Sequence, residues 1–212
     1  MIPYFDIEQG SSQWHSLRAG IPTSSEFGNI ITPSGMRSKS LENYAGVKAM
    51  EIMLKRNILN DFANEYMDRG KILEAQAAEQ YEVIYGVDTK EVGFITNDDG
   101  TVGASPDRLT SDCGGLEIKC FGIHKHIHHY FSKIIDPKYK PQMQGQIFVG
   151  NLDYVANWMY HPEIPPVRIM NMPDDKFLTK LEKLLVIFRQ VLADKVGELI
   201  DDGHIILPKE AA

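Results

Sequence analysis

Ser105-Pro106-Asp107-Arg108-Leu109-Thr110, a break at Ser111-Asp112-Cys113-Gly114, and then Gly115-Leu116-Glu117-Ile118-Lys119-Cys120 decide how this chain is read. Apolar and polar residues alternate on both sides of a glycine-bearing loop, which predicts two strands paired as a hairpin. Glu117 and Lys119 are two apart, so on a strand both point to the same face. Asp107 opens the first strand, and pairing brings it close to Glu117. Two carboxylates placed so repel each other unless a cation lies between them. Hard oxygen donors with room left for water suit Mg²⁺ or Mn²⁺. A lysine beside them can orient an attacking water or stabilise charge on a phosphate. A surface hairpin with an ordinary ion pair carries the same letters. Burying Glu and Lys on one face of a half-buried strand is expensive without a partner or a metal, which favours the chemical reading.

Outward from this hairpin the pattern changes period. Glu91-Val92-Gly93-Phe94-Ile95-Thr96 predicts a strand, Asn97-Asp98-Asp99-Gly100 a turn, and Thr101 to Ala104 its returning partner. Upstream the chain reads as helical. Thr23 and Glu26 have capping-box spacing, predicting a short helix from Ser24. Ser40 opens a helix to about Arg56, and another runs from about Asn64 to Tyr85 and stops at Gly86. Gly70 lies inside the latter, where a glycine costs about 1 kcal/mol against alanine. Downstream come a histidine-rich helix from His124 and a second from Tyr139 with Pro141 in its first turn. Strands follow at Tyr154 to Tyr160 and Val167 to Met172. Asp174 caps a long helix to about Ile200, whose stripe of Phe177, Leu178, Leu181, Leu184, Leu185, Phe188, Val191 and Leu192 has core spacing. The expected architecture is α/β, with a central mixed sheet flanked by helices.

The 212 residues fit one domain: a helical part over 1–60, a core over about 60–172 and a C-terminal helix over 174–202. Hydrophobic residues make up 43% and charged residues 24%, an ordinary globular balance. No apolar run approaches the roughly 20 residues that span a bilayer. Met1 to Asp6 lack a basic, then apolar, secretory signal. Two cysteines, Cys113 and Cys120, make no disulfide framework and point to a reducing, cytoplasmic setting. The net charge of −7 excludes a general polyanion-coating protein. It does not exclude a nuclease, which needs acidic metal ligands and only a local basic track. Phe121 to Lys140 supplies that track, with four lysines and four histidines against one aspartate. His124 and His128 have i, i+4 ligand spacing, but a zinc site needs more ligands than this stretch offers; DNA backbone contact by His124, His126, His128 and His129, or contact with a neighbouring subunit, fits it better.

Ser105-Pro106-Asp107 with Leu116-Glu117-Ile118-Lys119-Cys120 resembles the PD-(D/E)XK nuclease signature, and more narrowly the phage lambda exonuclease, or YqaJ-like viral recombinase, family. Trp14 to Gly20 with Thr23-Ser24-Ser25, Gly70 to Ala77, Gly103 to Asp107, and Gln142-Met143-Gln144 agree with it in order and spacing. The resemblance implies a restriction-endonuclease-like core and assigns roles. Asp107, Glu117, the carbonyl of Ile118 and Glu74 would hold two Mg²⁺ ions, with Mn²⁺ a substitute, and Lys119 would activate or orient the attacking water. Arg18, Ser25, Ser105 and Gln144 would hold a terminal 5′-phosphate, a guanidinium, two hydroxyls and an amide suiting its oxygens. Arg37, Lys39 and Lys125 would contact DNA. The implied activity is degradation of one strand of linear duplex DNA from its 5′ end to mononucleotides. The implied partners are a single-strand annealing protein and two further copies in a trimeric ring; no membrane is involved. A structure-specific endonuclease and an inactive DNA-end binding module are the alternatives.

Two points stay open in the sequence. Gln142 and Gln146 share a helix face while Gln144 points elsewhere, so a shift of one turn changes which amide meets phosphate. Thr32 to Lys39 reads equally as a DNA-contacting loop and as a mobile surface loop.

Overall fold

A computed structural model gives the fold; it describes residues 1–58 and 65–205. The chain opens with β1 (Ile2–Tyr4), α1 (Ser12–Arg18) and a 3₁₀ turn at Ser24–Asn29. Then come α2 (Leu41–Leu54), α3 (Glu65–Tyr85), β2 (Thr89–Glu91), β3 (Phe94–Thr96) and β4 (Gly103–Ala104). The hairpin strands are β5 (Arg108–Thr110) and β6 (Gly114–Lys119), followed by α4 (Ile123–Ser132). A 3₁₀ turn at Pro137–Tyr139 leads into α5 (Lys140–Gly150), β7 (Tyr154–His161), β8 (Ile164–Asn171) and α6 (Asp175–Asp201).

A five-stranded sheet in the order β2-β5-β6-β7-β8 carries the hairpin. Only β6 and β7 run parallel, and the chain between them crosses over through α4 and α5. This is the mixed α/β fold expected of the signature. Alternation along β6 decides its two faces. Leu116 and Ile118 pack with Ala77, Ala78 and Tyr81 of α3 and with Trp158 of β7. Trp158 also donates its indole N–H to the Ala77 carbonyl at 2.8 Å. Glu117 and Lys119 face the other way, toward α5. That helix seats Met143 and Ile147 on Leu152 and Val155. A second core lies where α6 meets α2 and the 24–29 turn: Phe177, Leu181, Leu185 and Phe188 close on Phe27, Leu41 and Tyr44. Asp174 caps α6, accepting from the Phe177 N–H at 3.0 Å.

Several elements differ from expectation. The predicted strand over Glu91 to Thr96 divides at Gly93. Its first part joins the large sheet as β2, and its second joins a three-stranded sheet with β1 and β4. A Cβ on Gly93 would lie 1.8 Å from the Ile7 carbonyl oxygen, so the N-terminal segment passes where only a glycine fits. The helix predicted from Ser24 is a 3₁₀ turn without a side-chain cap. The Thr23 hydroxyl serves Arg18 instead, from which it accepts a hydrogen bond at 3.1 Å. Asp107 stands one residue ahead of its strand rather than opening it. Helix α3 continues through Gly70, and the start predicted at Asn64 lies outside the described residues. No helix among the described residues is long and apolar enough to cross a membrane.

Candidate active site

Glu117 and Lys119 emerge side by side on the α5 face of β6, with the Lys119 ammonium donating to Glu117 Oε1 at 2.6 Å. Asp107 reaches them from the turn before β5 and takes the Ile118 main-chain N–H at 2.6 Å. Burial, then the neighbouring Glu117 and Glu74, push the Asp107 carboxyl well above its ordinary value. Burial works to lower Lys119, but Glu117 and Asp107 outweigh it and leave Lys119 raised. These carboxylates favour the ammonium form of Lys119, which can orient a water or stabilise phosphate charge. Half-buried Glu74 on α3 joins the same field. Its carboxyl is raised by burial and by Glu91 and Glu117, and lowered by Arg108 and Lys119.

This donor set fits Mg²⁺ or Mn²⁺. Asp107 and Glu74 are carboxyls disfavoured in their charged form, which a cation would reverse. Among the described residues no three His, Cys, Asp or Glu side chains form a ready cage. Hard oxygen donors of this kind suit Mg²⁺, which keeps several of its waters. The residues that would hold it are Asp107, Glu117, the Ile118 carbonyl and Glu74.

A second cluster lies two residues upstream. Arg18, 6% exposed, donates to Ser105 at 3.0 Å, to Thr23 at 3.1 Å and to Ser25 at 3.2 Å. Its guanidinium carbon sits 4.1 Å from the centre of the Trp14 ring. Burial lowers its pKa to about 10, which leaves it cationic at neutral pH. No carboxylate among the described residues forms an ion pair with it, and its Nε is buried without a hydrogen-bond partner. Ser105 Oγ accepts from both Arg18 and the Trp14 indole, which leaves its own O–H to donate. A buried, unpaired cation ringed by hydroxyls is the chemistry of an anion pocket.

The other residues singled out in the sequence are placed variously. Gln144 engages both ends of its amide on α6's entry: its Nε2 donates to the Met172 carbonyl at 2.8 Å and its Oε1 accepts from the Asp174 N–H at 2.8 Å. No hydrogen bond joins it to Arg18. Gln142 and Gln146 instead reach Glu117, at 2.8 Å and 2.6 Å. Arg37 pairs with Glu42 on the 31–37 loop, and Lys39 is exposed beside it. Lys125 lies over the Phe121 ring and lines a cleft of about 360 Å³ with His128, Lys138 and Tyr139. Tyr139 is also an electrostatic neighbour of Lys119. The histidines divide: His126 and His129 are buried on main-chain carbonyls, those of Pro165 and Ile134.

Sequence reasoning gave no role to Trp14 or Gln9 and read Thr23 as a helix cap. Gln9 Nε2 donates to the Val92 and Pro106 carbonyls, both at 3.0 Å, and so holds the turn that carries Asp107. Trp14 and Thr23 lay within the matched segments Trp14 to Gly20 and Thr23-Ser24-Ser25, whereas no motif contained Gln9.

Residues 13–153 match the YqaJ-like viral recombinase domain, and the chain belongs to that family. Among solved structures it is similar to an alkaline exonuclease, LHK-Exo, from Laribacter hongkongensis. Identity is 25%, coverage 91% of this chain and 98% of that one, and the TM-score 0.77. The same protein in complex with dAMP gives a TM-score of 0.78 at the same identity and coverage. A phage related exonuclease from Haemophilus somnus 129PT shares the fold, at 16% identity, 84% and 96% coverage and a TM-score of 0.65. Among curated proteins none matches the chain at a significant level.

Proposed function

We propose that this chain is an exonuclease that degrades one strand of linear double-stranded DNA from a 5′-phosphorylated end. It releases 5′-mononucleotides and leaves a 3′ overhang for recombination by strand annealing. The observation that carries the reading is the stretch Ser105-Pro106-Asp107, which joins an anion pocket directly to a carboxylate–lysine centre. Family membership and the likeness to LHK-Exo support an exonuclease. The ligand of that protein's second structure, dAMP, is itself a 5′-mononucleotide.

In this reading Arg18, Ser25 and Ser105 take the terminal phosphate, and Gln144, which the family register adds to that set, would have to leave Met172 and Asp174 to join them. Arg18 supplies the charge and the hydroxyls fix the orientation. Lys119 places its ammonium beside the phosphodiester to be cut and orients the attacking water. Asp107, Glu117, the Ile118 carbonyl and Glu74 hold the divalent ions, two Mg²⁺ or their Mn²⁺ substitutes. When bound, those ions neutralise charge on the phosphate and favour deprotonation of water. Lys125 and the basic cleft beside it, with Arg37 and Lys39, contact the DNA backbone. The family resemblance further supports a homotrimeric ring, a single-strand annealing protein as partner, and action in a bacterial host's cytoplasm.

The test is digestion of end-labelled linear duplexes, 5′-phosphorylated or 5′-hydroxyl, beside closed circular DNA, with Mg²⁺. Mononucleotides released from the phosphorylated 5′ end, with the circle intact, are expected. Attack from 3′ ends overturns the polarity, and cutting of the circle makes the enzyme an endonuclease.

A further inference from the structure

Three glutamines alternate along the first turns of α5, and the outer two converge on one carboxylate. Gln142 Nε2 donates to Glu117 Oε1 at 2.8 Å, the oxygen that also accepts from Lys119. Gln146 Nε2 donates to Glu117 Oε2 at 2.6 Å. One helical turn separates the two amides, so they close on the carboxylate from the same helix face. Gln146 is fully buried, yet its own Oε1 makes no hydrogen bond among the described residues. Flipping that amide would set an oxygen against the carboxylate oxygen, so the orientation is dictated by Glu117. The positions beside it, Met143 and Ile147, are apolar and fill the core. A residue kept at 146 for packing alone would be apolar too. A buried glutamine with an orphaned oxygen makes sense as a donor to Glu117.

Resting on the reading of Glu117 as a metal ligand, we infer that Gln142 and Gln146 are positioning residues that hold Glu117 ready for its divalent cation. A carboxylate offers about four lone-pair sites. Lys119 and Gln142 occupy both on Oε1, and Gln146 occupies one on Oε2. One site is left, on the oxygen that Gln146 holds, so Glu117 presents a single oxygen to a cation. The rotamer is fixed before the ion arrives, and the ion does not have to order it. Outer partners of this kind govern metal affinity and not only local stability.

The inference predicts a shift in metal dependence. Binding of Mn²⁺ to the intact protein, without DNA, is followed by electron paramagnetic resonance in wild type, Gln142→Met and Gln146→Met. Glu117→Gln identifies the signal of this site. Each glutamine variant is expected to weaken Mn²⁺ binding roughly tenfold. In DNA digestion each should raise the Mg²⁺ concentration for half-maximal rate by a similar factor, with most of the maximal rate recovered at saturating ion. A merely structural role would lower the rate at every ion concentration and leave the midpoint in place. Gln142 is half-buried, so its variant keeps the test available if Gln146→Met fails to fold. Unchanged Mn²⁺ affinity in both folded variants, in an enzyme that digests DNA, overturns this inference alone. Wild-type protein that binds Mn²⁺ through Glu117 but digests no DNA overturns the nuclease reading and leaves the positioning role standing.

Discussion

Asp107 accepts the main-chain N–H of Ile118 at 2.6 Å, which ties a carboxylate standing outside the sheet to the strand that carries Glu117 and Lys119. The three groups thus keep a fixed relation although Asp107 belongs to a turn. Gln9 reinforces it from the other side through the Pro106 carbonyl.

Lys119 is held as an ammonium by the carboxylates around it. Lys119→Ala should lower the rate of mononucleotide release by about 10²–10³, the effect of removing one preorganised donor. Binding of a 5′-phosphorylated duplex, measured by fluorescence anisotropy with Ca²⁺ in place of Mg²⁺, should change little. Turnover near the wild-type rate removes Lys119 from the chemistry.

Arg18 is a buried cation with no carboxylate ion-pair partner among the described residues, so it weighs on stability, and in the proposed reading it serves the anion pocket. Arg18→Met should raise Tm by about 2–4 °C, the shift expected for about 1 kcal/mol at this chain length. The same variant should bring the rates on 5′-phosphorylated and 5′-hydroxyl ends close to each other. Arg18→Lys should not restore the preference, because an ammonium lacks the planar fork that reaches three hydroxyls. A full phosphate preference in Arg18→Met would show that the pocket lies elsewhere.

Asp107 has a folded-state pKa raised by burial and by Glu117, against about 3.9 in an unfolded chain. The folded state therefore holds its proton more tightly than the unfolded one. Its contribution is fully present below the unfolded value and is lost as pH rises through the raised folded value. In EDTA the melting temperature should fall over that window, and Asp107→Asn should flatten the fall. Added Mg²⁺ should restore stability on the high-pH side. A metal-free profile identical in wild type and Asp107→Asn would contradict this.

Gly93→Ala drives a methyl group into the Ile7 carbonyl, a backbone atom that cannot swing aside. A loss of about 3 kcal/mol is expected, the upper end of the overpacking range. Gly28→Ala is the control, because a Cβ there meets nothing within 4 Å. Melting curves that leave the two variants level would remove the steric account of the strand break.

The elements legible in the sequence were those whose pattern is local. The α6 stripe from Phe177 to Phe188, its Asp174 cap, and the alternation of Leu116 and Ile118 against Glu117 and Lys119 follow from period alone. The division at Gly93 was not legible, because its cause is Ile7, distant in sequence and pressed against it. Thr23 and Glu26 had the letters of a cap, but a buried guanidinium competed for the hydroxyl. The glutamines show the same limit. Their shared face was readable from spacing, whereas the residue that face meets, Glu117, depends on how α5 packs on the sheet.

Ser105 and Asp107 are separated by one proline, so their α-carbons stand at most about 7 Å apart. If the first grips the terminal phosphate and the second belongs to the cutting centre, the chain itself acts as a ruler. Its graduation is a single step along the strand, comparable to the gap between neighbouring phosphates. Product size is then written into covalent geometry. An inserted residue between the two should blur the length of what is released before it abolishes release.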